Sequence, residues 1–257
     1  MERTDIICIA SHKGGVGKTT SAATLGSILA SSGESVLLVD LDAQRNLTST
    51  FLGSQTKPEH TLYEAMCGMC ELPVVKVREN LSVVPSSLDM SALDTSLASK
   101  IQRETVLKSL LRSVCGDYRW IILDCPSQMG LITVNAFTAA TSLIVPVSCD
   151  AYAAEGLMQL IDLAEVISSG LNPRLDLDGI IVTRFHARRT LDKIVDSDLR
   201  KEFPGMVFQT RIRENARIVQ APVMQLDIFS YDSKCNGAVD YQSLLKEIRE
   251  RLASIQR

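Results

Sequence analysis

Ten residues constrain this chain more than any other stretch: Ser11-His12-Lys13-Gly14-Gly15-Val16-Gly17-Lys18-Thr19-Thr20. An apolar run, Ile6 to Ala10, precedes them, and a segment of helical period, Ser21 to Ser32, follows. The order is therefore strand, glycine-rich loop, helix. Such a loop turns successive backbone N–H groups toward one point, and the first turn of the next helix adds its partial positive charge, so the favoured ligand is a phosphate chain. Gly14, Gly15, Val16, Gly17, Lys18, Thr19 and Thr20 form the expected cradle, with Lys18 reaching the β and γ phosphates and the Thr19 hydroxyl ligating Mg²⁺. The strict pattern has glycine six residues before the lysine, where this chain has His12.

Further apolar runs follow at Ser35–Asp40, Leu81–Ser86, Trp120–Asp124, Leu143–Val147 and Gly179–Thr183. They are apolar on both faces, as parallel strands covered by helices must be. Helical periodicity falls between them, at Glu104–Val114 and Asp150–Ser169, and again at Tyr241–Gln256. That alternation predicts an α/β fold, a mainly parallel doubly wound sheet with helices on both faces. Acidic residues closing parallel strands face the ligand crevice, which draws attention to Asp40, Asp42 and Asp124. Asp124 matches the element that holds Mg²⁺ beside a phosphate loop. Residues 45–80 are mixed, with a helix expected at Thr61–Gly68.

At 257 residues, 46% hydrophobic and 22% charged, the chain is expected to form one domain, 1–257, with a large core. The segment Cys125–Cys149 carries no charge, but its prolines, Gln128 and Asn135 read as loop, buried helix and buried strand rather than a membrane span. Seven cysteines, an odd number with several in apolar runs, indicate a reduced, cytoplasmic protein, and Cys67-Gly-Met-Cys70 lacks the second pair a zinc site needs. The net charge of -3 hides a local excess: residues 174–217 carry ten Lys/Arg against seven Asp/Glu. Such a patch is either a solvated face or a nucleic-acid footprint.

The second lysine, Lys13, directly before Gly14-Gly15, resembles the deviant phosphate loop of the ParA/MinD family of dimeric ATPases. Asp40-Leu-Asp42-Ala-Gln44 resembles that family's next motif, with Ala43 in place of a usual proline. Cys125-Pro-Ser-Gln-Met-Gly130 stands where the family has its nucleotide-sensing switch, with Ser127 and Gln128 replacing a proline and a serine. Thr210-Arg-Ile-Arg-Glu-Asn-Ala-Arg217 resembles the block near the adenine, and Phe185-His-Ala-Arg188 another family segment. The resemblance runs from residue 5 to about 250 and is to ParA/Soj-type partitioning ATPases; the chain is expected to lack the N-terminal helix-turn-helix domain of larger members.

The resemblance implies a P-loop NTPase fold, ATP and Mg²⁺ as ligands, and hydrolysis to ADP and phosphate. It gives Lys13 a role across an ATP-dependent homodimer interface and Asp42 the attacking water. Thr19, Asp40 and Asp124 become the metal residues, and Asn215 with Arg213, which replaces a proline, the nucleotide-side residues. Arg188, Arg189 and Arg217 become candidates for non-specific DNA. A ParB-type activator and a nucleoid location are implied too. Rival readings are a MinD-like ATPase on a membrane, a ParA-like ATPase moving a protein cargo, an iron-sulfur reductase and a small-molecule kinase or ligase. A membrane helix would need bulky apolar residues on Tyr241–Gln256, whose stripe contains neither Phe nor Trp.

Overall fold

The computed structural model describes residues 4–150 and 153–255. Eight strands join in one sheet: β1 (Asp5–Ile9), β2 (Val36–Asp40), β3 (Val75–Arg78), β4 (Leu81–Val84), β5 (Trp120–Asp124), β6 (Ser142–Ser148), β7 (Asp176–Phe185) and β8 (Val207–Arg213). Their spatial order is β3-β4-β2-β5-β1-β6-β7-β8, and every neighbouring pair is parallel except β3 with β4. The chain starts in the middle and winds outward both ways, as the alternating pattern predicts.

Residues along each central strand alternate between two cores. Ile6, Cys8, Leu37, Val39, Ile121 and Leu123 face one side, packed by the helices Leu62–Cys67, Val106–Leu111, Leu131–Ala139 and Ala153–Gly170. Ile7, Ile9, Val36, Leu38, Trp120 and Ile122 face the other, against α1 (Lys18–Ser31) and the helix Asn236–Ile255. That last helix buries Leu244, Leu245, Ile248 and Leu252, so its apolar stripe packs on the sheet. Among the described residues no helix is long and apolar enough to cross a membrane.

Two strands lie outside the runs read from sequence. β3 reverses into β4 through a tight turn whose Asn80 adopts a left-handed backbone (φ 59°), and its four half-covered residues are too few for a periodic signal. β8 is an edge strand that exposes Gln209 and Arg213 while burying Val207, Phe208 and Ile212. The helix expected over Glu104–Val114 is shorter, Val106–Leu111, after a 3₁₀ turn at Arg103–Thr105. The helix expected over Asp150–Ser169 runs Ala153–Gly170, with residues 151–152 outside the described set. The last helix begins five residues before Tyr241, at Asn236, and Gln256 lies outside the described residues.

One glycine sets how closely α1 approaches the sheet. A Cβ built on Gly26 would stand 2.6 Å from Cδ2 of Leu38, whose side chain is fully buried in β2. Gly26→Val should therefore cost about 2 kcal/mol through overpacking. The expected result is a lower melting temperature, measured by calorimetry, together with weaker nucleotide binding as α1 carries the phosphate loop outward.

Candidate functional site

The loop between β1 and α1 needs two left-handed residues, and both are glycine: Gly15 (φ 73°) and Gly17 (φ 92°). A side chain at either would be strained. Gly17 also caps α1, accepting from the Ser21 N–H at 2.9 Å. Lys18 follows on the first turn with only 7% of its surface exposed. Its Nζ donates to the Lys13 carbonyl at 3.0 Å and to Ser127 Oγ at 2.7 Å, both neutral acceptors. Burial lowers the Lys18 pKa, with Asp124, Cys125 and Asp42 pulling it back. An anion delivered to the loop would meet this ammonium directly.

The acidic side is built by register. Asp40 of β2 pairs with Asp124 of β5, and Asp124 pairs with Ile9 of β1, so the carboxylates sit beside the loop that leaves β1. Their environments differ. Asp40 Oδ2 accepts from Thr48 N (2.7 Å) and Thr48 Oγ1 (2.6 Å), and Oδ1 accepts from the Asp42 N–H (3.1 Å). Burial pushes its pKa up to about 6 against those bonds. Asp124 is wholly buried and neither oxygen has a full hydrogen bond, although the Thr19 hydroxyl lies near enough to favour the ionised form. Burial, then the Asp40 charge, push the Asp124 pKa well above the ordinary carboxylate range. A buried carboxylate beside a hydroxyl, at the mouth of a phosphate loop, is a hard-oxygen donor set that fits Mg²⁺. Asp40 by contrast is committed to anchoring the helix Asn46–Leu52.

Asp42 is half-buried and lines the main cavity, its Oδ1 accepting from the Gln44 N–H at 2.9 Å. That cavity, about 550 Å³, is walled by the loop, Asp42, Ser127 and the segment Ile218–Ile228. A second cavity of about 290 Å³ shares Gly15, Gly17, Thr20 and Ile218 with it and is lined by Arg213, Glu214 and Asn215. The two cavities therefore adjoin at the glycine loop. Asn215 caps the helix Ala216–Val223 by accepting from the Arg217 N–H at 2.8 Å, leaving its amide N–H₂ for a ligand. Arg213 is bound to Asp240 through Nε and Nη2, the shortest contact 2.6 Å.

Lys13 lies elsewhere. Its ammonium, half-exposed, meets Asp150 Oδ2 at 2.7 Å and does not line the main cavity. Arg188, Arg189 and Arg217 share one corner at the carboxyl ends of β7 and β8. There Arg189 meets Glu214 at 3.0 Å and Arg217 meets Asp232 at 3.8 Å. Among the described residues Arg188 has no ion pair. Ser127 is the residue that sequence reading passed over: it appeared only as a departure from the family's switch, and no pattern announces that its hydroxyl would hold Lys18. Cys125 is buried 3.3 Å from Cys8, sulfur to sulfur, and among the described residues no group of three or more His, Cys, Asp or Glu is placed to hold a metal.

The sequence matches the family model for an AAA domain over residues 4–177. It is 38% identical over 254 residues to the chromosome partitioning protein ParA of Caulobacter vibrioides, covering 96% of this chain and 94% of that one. It is also 38% identical over 246 residues to the sporulation initiation inhibitor protein Soj of Bacillus subtilis, with 95% and 97% covered. Among solved structures it resembles the cobyrinic acid a,c-diamide synthase of Mycobacterium smegmatis with bound ADP and magnesium, at TM-score 0.83, 29% identity, and 95% and 93% coverage.

The contrast between the two buried acids is testable. Asp124→Asn should not lower the melting temperature of the nucleotide-free protein, because it removes a carboxyl whose charged form burial and Asp40 disfavour, while an amide still accepts from the Thr19 hydroxyl. It should abolish the added stabilisation that Mg²⁺ gives over ATP alone, read by differential scanning fluorimetry. Asp40→Asn should lower the melting temperature with or without nucleotide, since it breaks the Thr48 anchor at a cost of about 1–3 kcal/mol.

Proposed function

Because this chain belongs to the ParA/Soj family of partitioning ATPases, we propose that it is a nucleotide-driven DNA-segregation switch. It binds ATP, closes into a face-to-face homodimer, holds DNA without sequence preference, and lets go after hydrolysis stimulated by a ParB-type partner. It works in the cytoplasm on the nucleoid. The observation that carries this reading is a buried lysine at the end of a left-handed glycine loop, beside a buried carboxylate that lacks a full hydrogen bond.

The residues divide the work. Backbone N–H groups of Gly14–Thr20 and the Lys18 ammonium hold the phosphates, Lys18 exchanging the Ser127 hydroxyl for a charged acceptor. Thr19 and Asp124 hold Mg²⁺, which when bound draws charge from the β and γ phosphates; Asp40 fixes the strand end beside them. Asp42, half-buried at the rim of the cavity, orients the attacking water. Thr20 and Asn215 border the compartment for the base, and Arg213, tied to Asp240, shapes its wall rather than reaching out.

Lys13 is the dimer contact. Its ion pair with Asp150 is half-exposed, a class worth about 0–1 kcal/mol, whereas a hydrogen bond to a charged phosphate is worth about 1.5–3 kcal/mol. A partner's nucleotide can therefore draw the ammonium away. ATP favours the dimer only through contacts that ADP does not offer, and this is one. Lys13→Ala should leave ATP affinity of the monomer within about threefold by calorimetry, while light scattering shows no ATP-dependent dimer.

For DNA, Arg188, Arg189 and Arg217 each appear twice in a closed dimer. Their surface is partly neutralised by Glu214 and Asp232 in one protomer, so doubling is what makes it effective. Filter binding across a salt series should show ATP-dependent, sequence-indifferent affinity with a log-log slope of about -0.9 per phosphate neutralised. Arg217→Ala should make that slope shallower by roughly two. Binding that ignores salt, or is equal with ATP and ADP, would instead mark a protein cargo.

A further inference from the structure

A third cavity, about 470 Å³, opens at the amino ends of the strands, the edge of the sheet opposite the phosphate loop. Its floor is apolar, from Ile6, Leu111 and Ala140, all buried. Its rim is cationic, from Lys108, Arg112 and Arg174, and among the described residues no carboxylate lies in its wall. Lys108 and Arg112 are four residues apart at the end of the helix Val106–Leu111, so they share a face and repel one another. Arg174 comes from the turn before β7. Among the described residues none of these three side chains forms an ion pair or hydrogen bond, whereas the arginines of the β7–β8 corner and Arg213 are mostly held by acids. Cys115 stands at the rim, exposed; burial of its sulfur raises the thiol pKa, and Arg112 and Arg174 lie near enough to pull it partly back.

We propose that this cavity is a second anion site, taking a small phosphorylated ligand of nucleoside monophosphate size, distinct from the ATP site. Three converging unpaired cations supply the attraction, because a dianion there removes the Lys108–Arg112 repulsion and accepts charge-assisted hydrogen bonds from both arginines. The apolar floor accepts the uncharged body of the ligand. The volume falls in the range of small-molecule pockets, and its concavity selects a compact ligand over the backbone of a duplex.

Cys115 supplies the readout. The full-length protein is first saturated with ADP and Mg²⁺ to fill the phosphate loop. It is then alkylated with iodoacetamide in rising AMP or inorganic phosphate, and the modification of each cysteine is followed by peptide mass spectrometry. AMP should slow alkylation of Cys115 at least threefold while Cys67 and Cys70 are unchanged. Arg174→Ala and Lys108→Ala, tested singly, should each raise the half-protecting concentration about tenfold, and Lys18→Ala should leave it unaltered. The proposal is overturned if neither AMP nor phosphate protects Cys115 up to about 10 mM, a concentration already weaker than a millimolar site. It is likewise overturned if protection survives both rim variants or is lost in Lys18→Ala. Protection by duplex DNA but not by AMP would also overturn it, assigning the rim to a nucleic-acid backbone.

Discussion

Parallel pairing of β1 with β5 and of β5 with β2 is the constraint on which the site depends. It brings three strand ends to one line, so that a loop of N–H donors, a carboxylate committed to structure and a carboxylate without partners stand side by side. Each strand is buried on both faces, and this holds the line rigid. Two acids in register within a core are mutually unfavourable. Asp40 is made tolerable by three hydrogen bonds; Asp124 is left to whatever cation the site receives.

The second half of the chain closes the site from the other side. α1 is clasped by polar bonds from distant segments: Ser21 Oγ with Tyr241 Oη at 2.9 Å, and Ser27 Oγ to Asp227 Oδ2 at 2.8 Å. These bonds are buried and tie the phosphate-loop helix to the segment that lines both cavities. Burial raises the Tyr241 pKa, so its hydroxyl stays protonated.

Electrostatics in this protein is local and largely compensated. The basic excess at residues 174–217 does not form one positive field, because Asp196 holds Arg200 and Arg211, Asp240 holds Arg213, and Glu214 holds Arg189. Burial pushes the Asp196 pKa up, but the hydrogen bonds from Arg211 and Arg200 outweigh it and leave the carboxyl below its ordinary value.

The phosphate loop, the order of strands and helices, and the acids at strand ends were legible in the chain because each rests on local spacing: glycines where φ must be positive, continuous apolar runs for strands buried on both faces, a carboxylate after such a run. β3 and β8 were not, since edge strands lack the two-sided burial that writes a continuous apolar run. Tertiary structure alone separated Asp40 from Asp124, because identical residues in identical sequence settings differ only in what lies across the fold, Thr48 for one and no full partner for the other. It alone sent the Lys13 side chain to Asp150 and the Lys18 side chain to Ser127, contacts spanning more than a hundred residues that no pattern encodes. And it alone showed which arginines are already held by acids, since a charge count records how many there are and only proximity records which are free.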